Sequence, residues 1–138
     1  MNESRSILWE SSYGVGVTVI DEQHQKWFQI FNDFNEAVGN GQGQLLVLGT
    51  LKALSDYTRY HFSTEQDLFR EYNFPQGYSH IEKHKEFIFT LNTLYKDFKK
   101  DDQMLSVKAI GALKDWLINH ILGTDKEFGE YVSRLKNQ

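Results

Sequence analysis

The sequence predicts an all-α protein, an antiparallel up-down-up-down four-helix bundle with an extended N-terminal arm. Apolar residues recur at steps of three and four along four long stretches, the period of one helix face. Between the stretches stand Gly39-Asn40-Gly41-Gln42-Gly43, Asn73-Phe74-Pro75-Gln76-Gly77 and Lys99-Lys100-Asp101-Asp102, short breaks that stop or turn a helix. No segment shows the sustained alternation of a strand, and short connections favour antiparallel neighbours. The 138 residues are expected to form one domain over 1–138, large enough to bury its own core.

Residues 1–20 read as the arm, because Ser11-Ser12-Tyr13-Gly14-Val15-Gly16-Val17-Thr18-Val19 mixes glycines with β-branched residues. Its Leu8, Trp9 and Tyr13 are expected to pack on the bundle. The first helix, about 21–38, opens at Asp21 as N-cap and carries Ile20, His24, Trp27, Phe31, Phe34 and Val38 on one face. The second, about 44–72, presents Leu51, Leu54, Thr58, His61, Glu65, Leu68 and Tyr72 in unbroken steps of three and four. The third, about 76–98, follows the turn at Pro75 and presents His80, His84, Phe87, Leu91, Leu94 and Phe98.

The fourth helix, about 103–136, shows Ser106, Ile110, Leu113, Leu117 and His120 in register, so the next inward position is 124. The carboxylate comes one residue late, at Asp125. In a regular helix His120 and Asp125 would point about 140° apart. The sequence therefore predicts a kink or widened turn near 121–125, with Gly123 permitting it, after which the face resumes as Asp125, Phe128, Val132 and Leu135.

Composition narrows the function. A net charge of -4 with dispersed Lys and Arg offers no basic stripe for a phosphate backbone, so no nucleic-acid partner is expected. There is no cysteine, which excludes disulfides and thiolate metal sites and leaves nitrogen and oxygen as metal donors. The N-terminus lacks the apolar run of a signal peptide, and no segment is apolar for long enough to span a bilayer. A soluble cytoplasmic protein without membrane insertion is the expectation. Apolar residues on the outer helix faces are scattered, which favours a monomer.

The core positions carry the chemistry. All five histidines, His24, His61, His80, His84 and His120, fall on inferred inward faces, together with Glu65 and Asp125. One histidine in a core is ordinarily a hydrogen-bonded structural residue. Burying all seven groups without a common partner would cost ~1–3 kcal/mol for each one left unsatisfied. A metal centre satisfies them together. Seven donors exceed a tetrahedral zinc site and are too rich in nitrogen for calcium or magnesium, whereas two octahedral ions bridged by the carboxylates would use them all. Iron suits imidazole plus carboxylate, with manganese or cobalt as substitutes. The Glu-x-x-His pairs of ferritin-like sites and the His-Glu-x-x-His of zincins are absent.

Over nearly its whole length the sequence resembles a hemerythrin, specifically a bacteriohemerythrin. The resemblance lies in Trp9, the Gly14-Val15-Gly16 arm leading to Asp21-Glu22-Gln23-His24, His61-Phe62-x-x-Glu65, His80-x-x-x-His84 and His120-Ile121-x-x-x-Asp125. It implies two iron ions (Fe2+/Fe3+) with an oxo or hydroxo bridge. His80, His84 and His120 would ligate one, His24 and His61 the other, and Glu65 and Asp125 both. It also implies reversible O2 binding as a hydroperoxide at the open iron, hence an oxygen carrier, store or supplier rather than an enzyme. Trp27, Phe62, Trp116 and Leu117 are expected around the bound O2. None of these four can donate a proton readily, which favours reversible binding over O–O cleavage.

The chain departs from the family pattern in the bulk of Trp27, in Gln66 where a glutamate often stands, and in Glu127-Phe128 where Lys-Tyr is common. With no signalling segment or membrane helix in the sequence, a free-standing carrier is expected, with a downstream oxygen-using enzyme as its natural recipient. The alternatives are O2 or redox sensing, or a di-iron enzyme acting on peroxide or nitric oxide.

Overall fold

A computed structural model describes residues 6–41, 43–100 and 107–137. Its helices are α1 (Thr18–Gly39), α2 (Gln44–Glu71), α3 (Gly77–Lys100), α4 (Val107–His120) and α5 (Lys126–Lys136), with a π-helical turn at Ile121–Asp125 joining the last two. His120 and Lys126, on either side of that turn, keep right-handed helical dihedrals, so α4, the π turn and α5 form the fourth rod of a four-helix bundle. Among the described residues there is no strand, and no helix is long and apolar enough to cross a membrane.

Neighbouring helices run in opposite directions, as their contacts record. Along α1 and α2, Gln23 meets Thr64 while the later Trp27 meets the earlier Thr58. Along α2 and α3, Arg59 meets Asn92 while Gln66 meets His84. The core is aromatic and aliphatic: Ile20, Trp27, Phe31 and Phe34 of α1, Leu51 and Leu54 of α2, Phe87 and Leu91 of α3, Ile110, Leu113 and Leu117 of α4 and Phe128 of α5 are all buried.

The start of α1 differs from the sequence expectation. The helix begins at Thr18 rather than at Asp21, and Val17 is the N-cap, with no side-chain cap bond. Asp21 instead lies in the first turn, where its carboxylate accepts the Val15 N–H at 2.8 Å and the Gly16 N–H at 3.2 Å. The positive φ of Gly16, 88°, turns those amides back toward it. A charge reaching back to the arm thus outweighs the weak helix propensity of Thr18 and Val19.

In the arm, Leu8 is 78% exposed and its neighbour Ile7 is the buried residue, a correction to the expected packing. Asn32 sets this register, because its amide accepts the Ile7 N–H at 2.8 Å and donates to the Ile7 carbonyl at 2.9 Å. Trp9 and Tyr13 do pack on the bundle, each against Phe28. Further along, the arm touches α5 at Gly129, where a Cβ would lie 1.9 Å from the Val15 carbonyl oxygen.

Late in α2 the inward face passes to Phe69, buried against Phe74, His80 and Phe128, while Leu68 and Tyr72 are only half-buried. The drift reflects the mismatch between 3.6 residues per turn and a strict alternation of three and four. Lys99 and Lys100 belong to the last turn of α3 rather than to a loop. Leu135 is 38% exposed, and the last buried position of α5 is Val132. The expected helix start at 103, the Asp101-Asp102 cap and Ser106 lie outside the described residues.

Candidate metal centre

Each helix delivers side chains to one buried cluster. α1 supplies His24, α2 His61 and Glu65, α3 His80 and His84, and the fourth rod His120 and Asp125. None is more than 5% exposed. The four-residue spacing within α2 and within α3 stacks two donors on one helix face. The fourth rod reaches the same result through the π turn, which has more residues per turn than an α-helix and so brings positions five apart onto one side. Asp125 Oδ1 accordingly lies 3.2 Å from His120 Nε2. Gly123 sits within the turn without a positive φ and with open space where its Cβ would be, so the turn does not depend on glycine's freedom.

The carboxylates divide their oxygens between two groups of imidazoles. Glu65 Oε1 lies 3.0 Å from His84 Nε2, and Asp125 Oδ1 lies 2.7 Å from His80 Nε2. Glu65 Oε2 lies 3.4 Å from His61 Nε2, and Asp125 Oδ2 lies 3.0 Å from His24 Nε2. Two donor sets result: His80, His84 and His120 with both carboxylates, and His24 and His61 with the same two carboxylates.

These residues fit metal ions. Metal–nitrogen bonds of ~2.0–2.1 Å give neighbouring octahedral donors an edge of about 3 Å, and the spacings above match it. The buried Nε2 atoms of His24, His61 and His84, both oxygens of Glu65 and Oδ2 of Asp125 have no hydrogen-bond partner in the protein. So many orphaned polar atoms converging on one place, each costing ~1–3 kcal/mol if left unsatisfied, call for a shared cationic partner.

The electrostatics keep the two carboxylates ionised and His84 neutral, and leave His24 with a proton to displace. Burial and mutual repulsion push the Glu65 carboxyl up, but the surrounding imidazoles, His61 and His24 foremost, overcome both and hold it well below its usual range. Burial likewise raises Asp125, and His120, His24 and His80 bring it well below. Burial lowers His24, yet Asp125 and Glu65 outweigh that and raise it to about 9. Burial dominates at His84, which falls to about 4 despite Glu65.

A further set of polar groups orients three of the five imidazoles. His61 Nδ1 lies 2.8 Å from Gln23 Oε1, and His84 Nδ1 lies 3.1 Å from Gln66 Oε1. His120 Nδ1 lies 2.8 Å from Thr124 Oγ1. Of these, only Thr124 is announced by spacing, standing four residues after His120. Gln23 reaches His61 from another helix, a relation that no local pattern encodes.

The four apolar residues expected near the open position are distributed over both sides. Trp27 is fully buried against His24 and His61, at ring separations of 5.9 and 4.9 Å. Its indole N–H donates to Thr58 Oγ1 at 2.9 Å. Phe62 lies flat on His84 at 3.7 Å and also meets Trp27 edge-on. Trp116 stacks on His120 and Phe87, toward the three-histidine side, and Leu117 is buried in α4.

A sequence profile described as "Hemerythrin HHE cation binding domain" matches residues 15–132. The chain is 32% identical over 127 residues to a hemerythrin-like protein of Naegleria gruberi, covering 87% of this chain and 88% of that protein. It is 28% identical over 132 residues to a bacteriohemerythrin of Stenotrophomonas maltophilia, covering 96% and 85% respectively. A crystal structure of wild-type hemerythrin superposes with a TM-score of 0.84 at 25% identity, covering 92% of this chain and 98% of that one.

Proposed function

This chain belongs to the hemerythrin family, and from that premise we propose that it binds O2 reversibly at two iron ions held within the bundle. The observation that carries the reading is the division of the Glu65 and Asp125 oxygens between three imidazoles on one side and two on the other. Bound there, two iron ions would supply the electrons that O2 takes up on binding and returns on release. In this reading His80, His84 and His120 would hold one ion, His24 and His61 the other, and the two carboxylates would serve both. The set built on His24 and His61 is one donor short of its neighbour, so an outside ligand would be taken up on that side.

Trp27 excludes water around that side, and Phe62, stacked on His84, meets it edge-on from the other, which slows hydrolysis and proton leakage. Neither delivers a proton: Phe62 has none to give, and the single N–H of Trp27 is committed to Thr58. Cleaving the O–O bond ordinarily requires a positioned acid, so these surroundings favour releasing O2 intact. The reading is therefore a carrier, store or supplier of oxygen rather than an enzyme.

The test is iron content together with the visible spectrum of the reduced protein. Two irons per chain and an absorption change on adding O2 that reverses when O2 is removed would support the proposal. Immediate irreversible oxidation would overturn it.

A further inference from the structure

Among the described residues, the groups behind His61, His84 and His120 include no carboxylate. When a metal takes Nε2 of a neutral imidazole, the remaining proton sits on Nδ1, and what accepts it tunes the ligand. A carboxylate acceptor adds negative charge and makes the imidazole more basic, whereas an amide or hydroxyl orients the ring without adding charge. His61 faces the Gln23 amide, His84 the Gln66 amide and His120 the Thr124 hydroxyl.

Local bonds settle the orientation of two of these acceptors. Thr124 spends its hydroxyl hydrogen on the His120 carbonyl at 2.7 Å, so its oxygen accepts from His120 Nδ1–H. Gln23 donates its Nε2 to Thr64 Oγ1 at 3.2 Å, and Thr64 in turn donates to the Tyr60 carbonyl at 3.3 Å, which leaves Gln23 Oε1 for His61 Nδ1–H. The only anionic groups in direct contact with the five imidazoles are thus Glu65 and Asp125 among the described residues.

We propose that this neutral outer ring, with Gln66 its most adjustable member, sets the charge balance of the centre and holds its ions toward the divalent state. The inference rests on the two-ion reading above. Oxidising one ion from the divalent to the trivalent state passes one electron to an external mediator and leaves one more positive charge in a site shielded from water. Carboxylates behind the imidazoles would stabilise that extra charge; two amides and a hydroxyl do not. Gln66 is a positioning residue that acts through His84, and it is half-buried at the edge of the cluster, so a carboxylate of the same reach can replace it without being sealed inside.

The experiment compares the full chain with Gln66→Glu and Gln66→Met, measuring the midpoint potential of the iron-loaded proteins by mediator titration. Zinc(II) affinity is measured alongside, by competition with a chromophoric chelator. Gln66→Glu keeps the hydrogen bond and adds charge: its potential shifts negative and zinc binds about tenfold tighter or more. Gln66→Met removes the acceptor, and zinc binding weakens by about tenfold or more. A Gln66→Glu variant with two ions per chain, unchanged potential and zinc affinity within about twofold of the parent overturns this inference alone. A parent that takes up neither iron nor zinc overturns the two-ion reading together with it.

Discussion

His120 and Asp125 stand five residues apart and meet at 3.2 Å because the fourth rod widens into a π turn between them. The widening brings Asp125, rather than position 124, onto the face of the imidazoles. Exchanging the two residues, as Thr124→Asp with Asp125→Thr, is expected to lower metal uptake below two ions per chain while leaving the helical circular dichroism intact. Full uptake by the exchanged protein, measured by elemental analysis, would show that the rod can relax to a regular helix and that the π turn is dispensable.

Acid and base should both destabilise the metal-free protein, for different reasons. His84 titrates at about 4 in the fold against 6.5 unfolded, so between these values the unfolded chain binds the extra proton and stability falls as pH drops from 6.5 toward 4. His24 titrates at about 9, so its contribution is complete below 6.5 and is lost as pH rises through 9. The lowered carboxyls of Glu65 and Asp125 add to the acid side, since their contribution is lost as pH falls below their ordinary values of 4.5 and 3.8. Thermal midpoints across this range should pass through a maximum near neutral pH. A flat profile would contradict the assignments.

The same raised value at His24 predicts a proton count for loading. At pH 7.5 the metal-free imidazole, titrating at about 9, holds a proton that a metal must displace. Zinc(II) addition in weak buffer should release that proton, and His24→Gln should release fewer. Equal release by parent and variant would mean that His24 does not take part in metal uptake.

Trp27 closes the two-histidine side and should control both stability and access. Trp27→Ala leaves a large cavity beside His24 and His61 and is expected to cost about 3–5 kcal/mol, read by denaturant unfolding. In the iron-loaded protein the same variant should exchange O2 several-fold faster by stopped-flow absorbance. Unchanged exchange kinetics would place the route to the site elsewhere.

Gly129 is required where α5 meets the arm. Gly129→Ala sets a methyl group 1.9 Å from the Val15 carbonyl oxygen, a clash between main-chain segments that no rotamer can relieve. Displacing the arm or α5 should cost about 1–3 kcal/mol in thermal unfolding and speed proteolysis in the arm. Gly111→Ala is the control, because a Cβ there meets nothing within 4 Å.

Much of the centre could be read from spacing because most of it is a property of single helices. His61 with Glu65 and His80 with His84 are each four residues apart, and helical geometry alone puts such pairs on one face. The slip at Asp125 was legible for the same reason: five residues do not fit a regular turn, and a buried carboxylate must have its partners. The bundle follows from four apolar faces that can be buried only against one another.

What remained for the tertiary structure was every relation between helices. Which carboxylate oxygen meets which imidazole, that Gln23 serves His61, that Trp27 gives its hydrogen to Thr58, and that Asp21 reaches back to the arm all depend on how the helices rotate and slide when they pack. The exchange of Leu68 for Phe69 and of Leu8 for Ile7 at the core has the same origin, since small rotations decide which of two adjacent apolar side chains is covered. The sequence by itself determined which donors exist and which helix face each occupies, because backbone geometry repeats locally. Only the packed structure decided their partners, because that choice is made across the bundle by contacts between residues far apart in the chain.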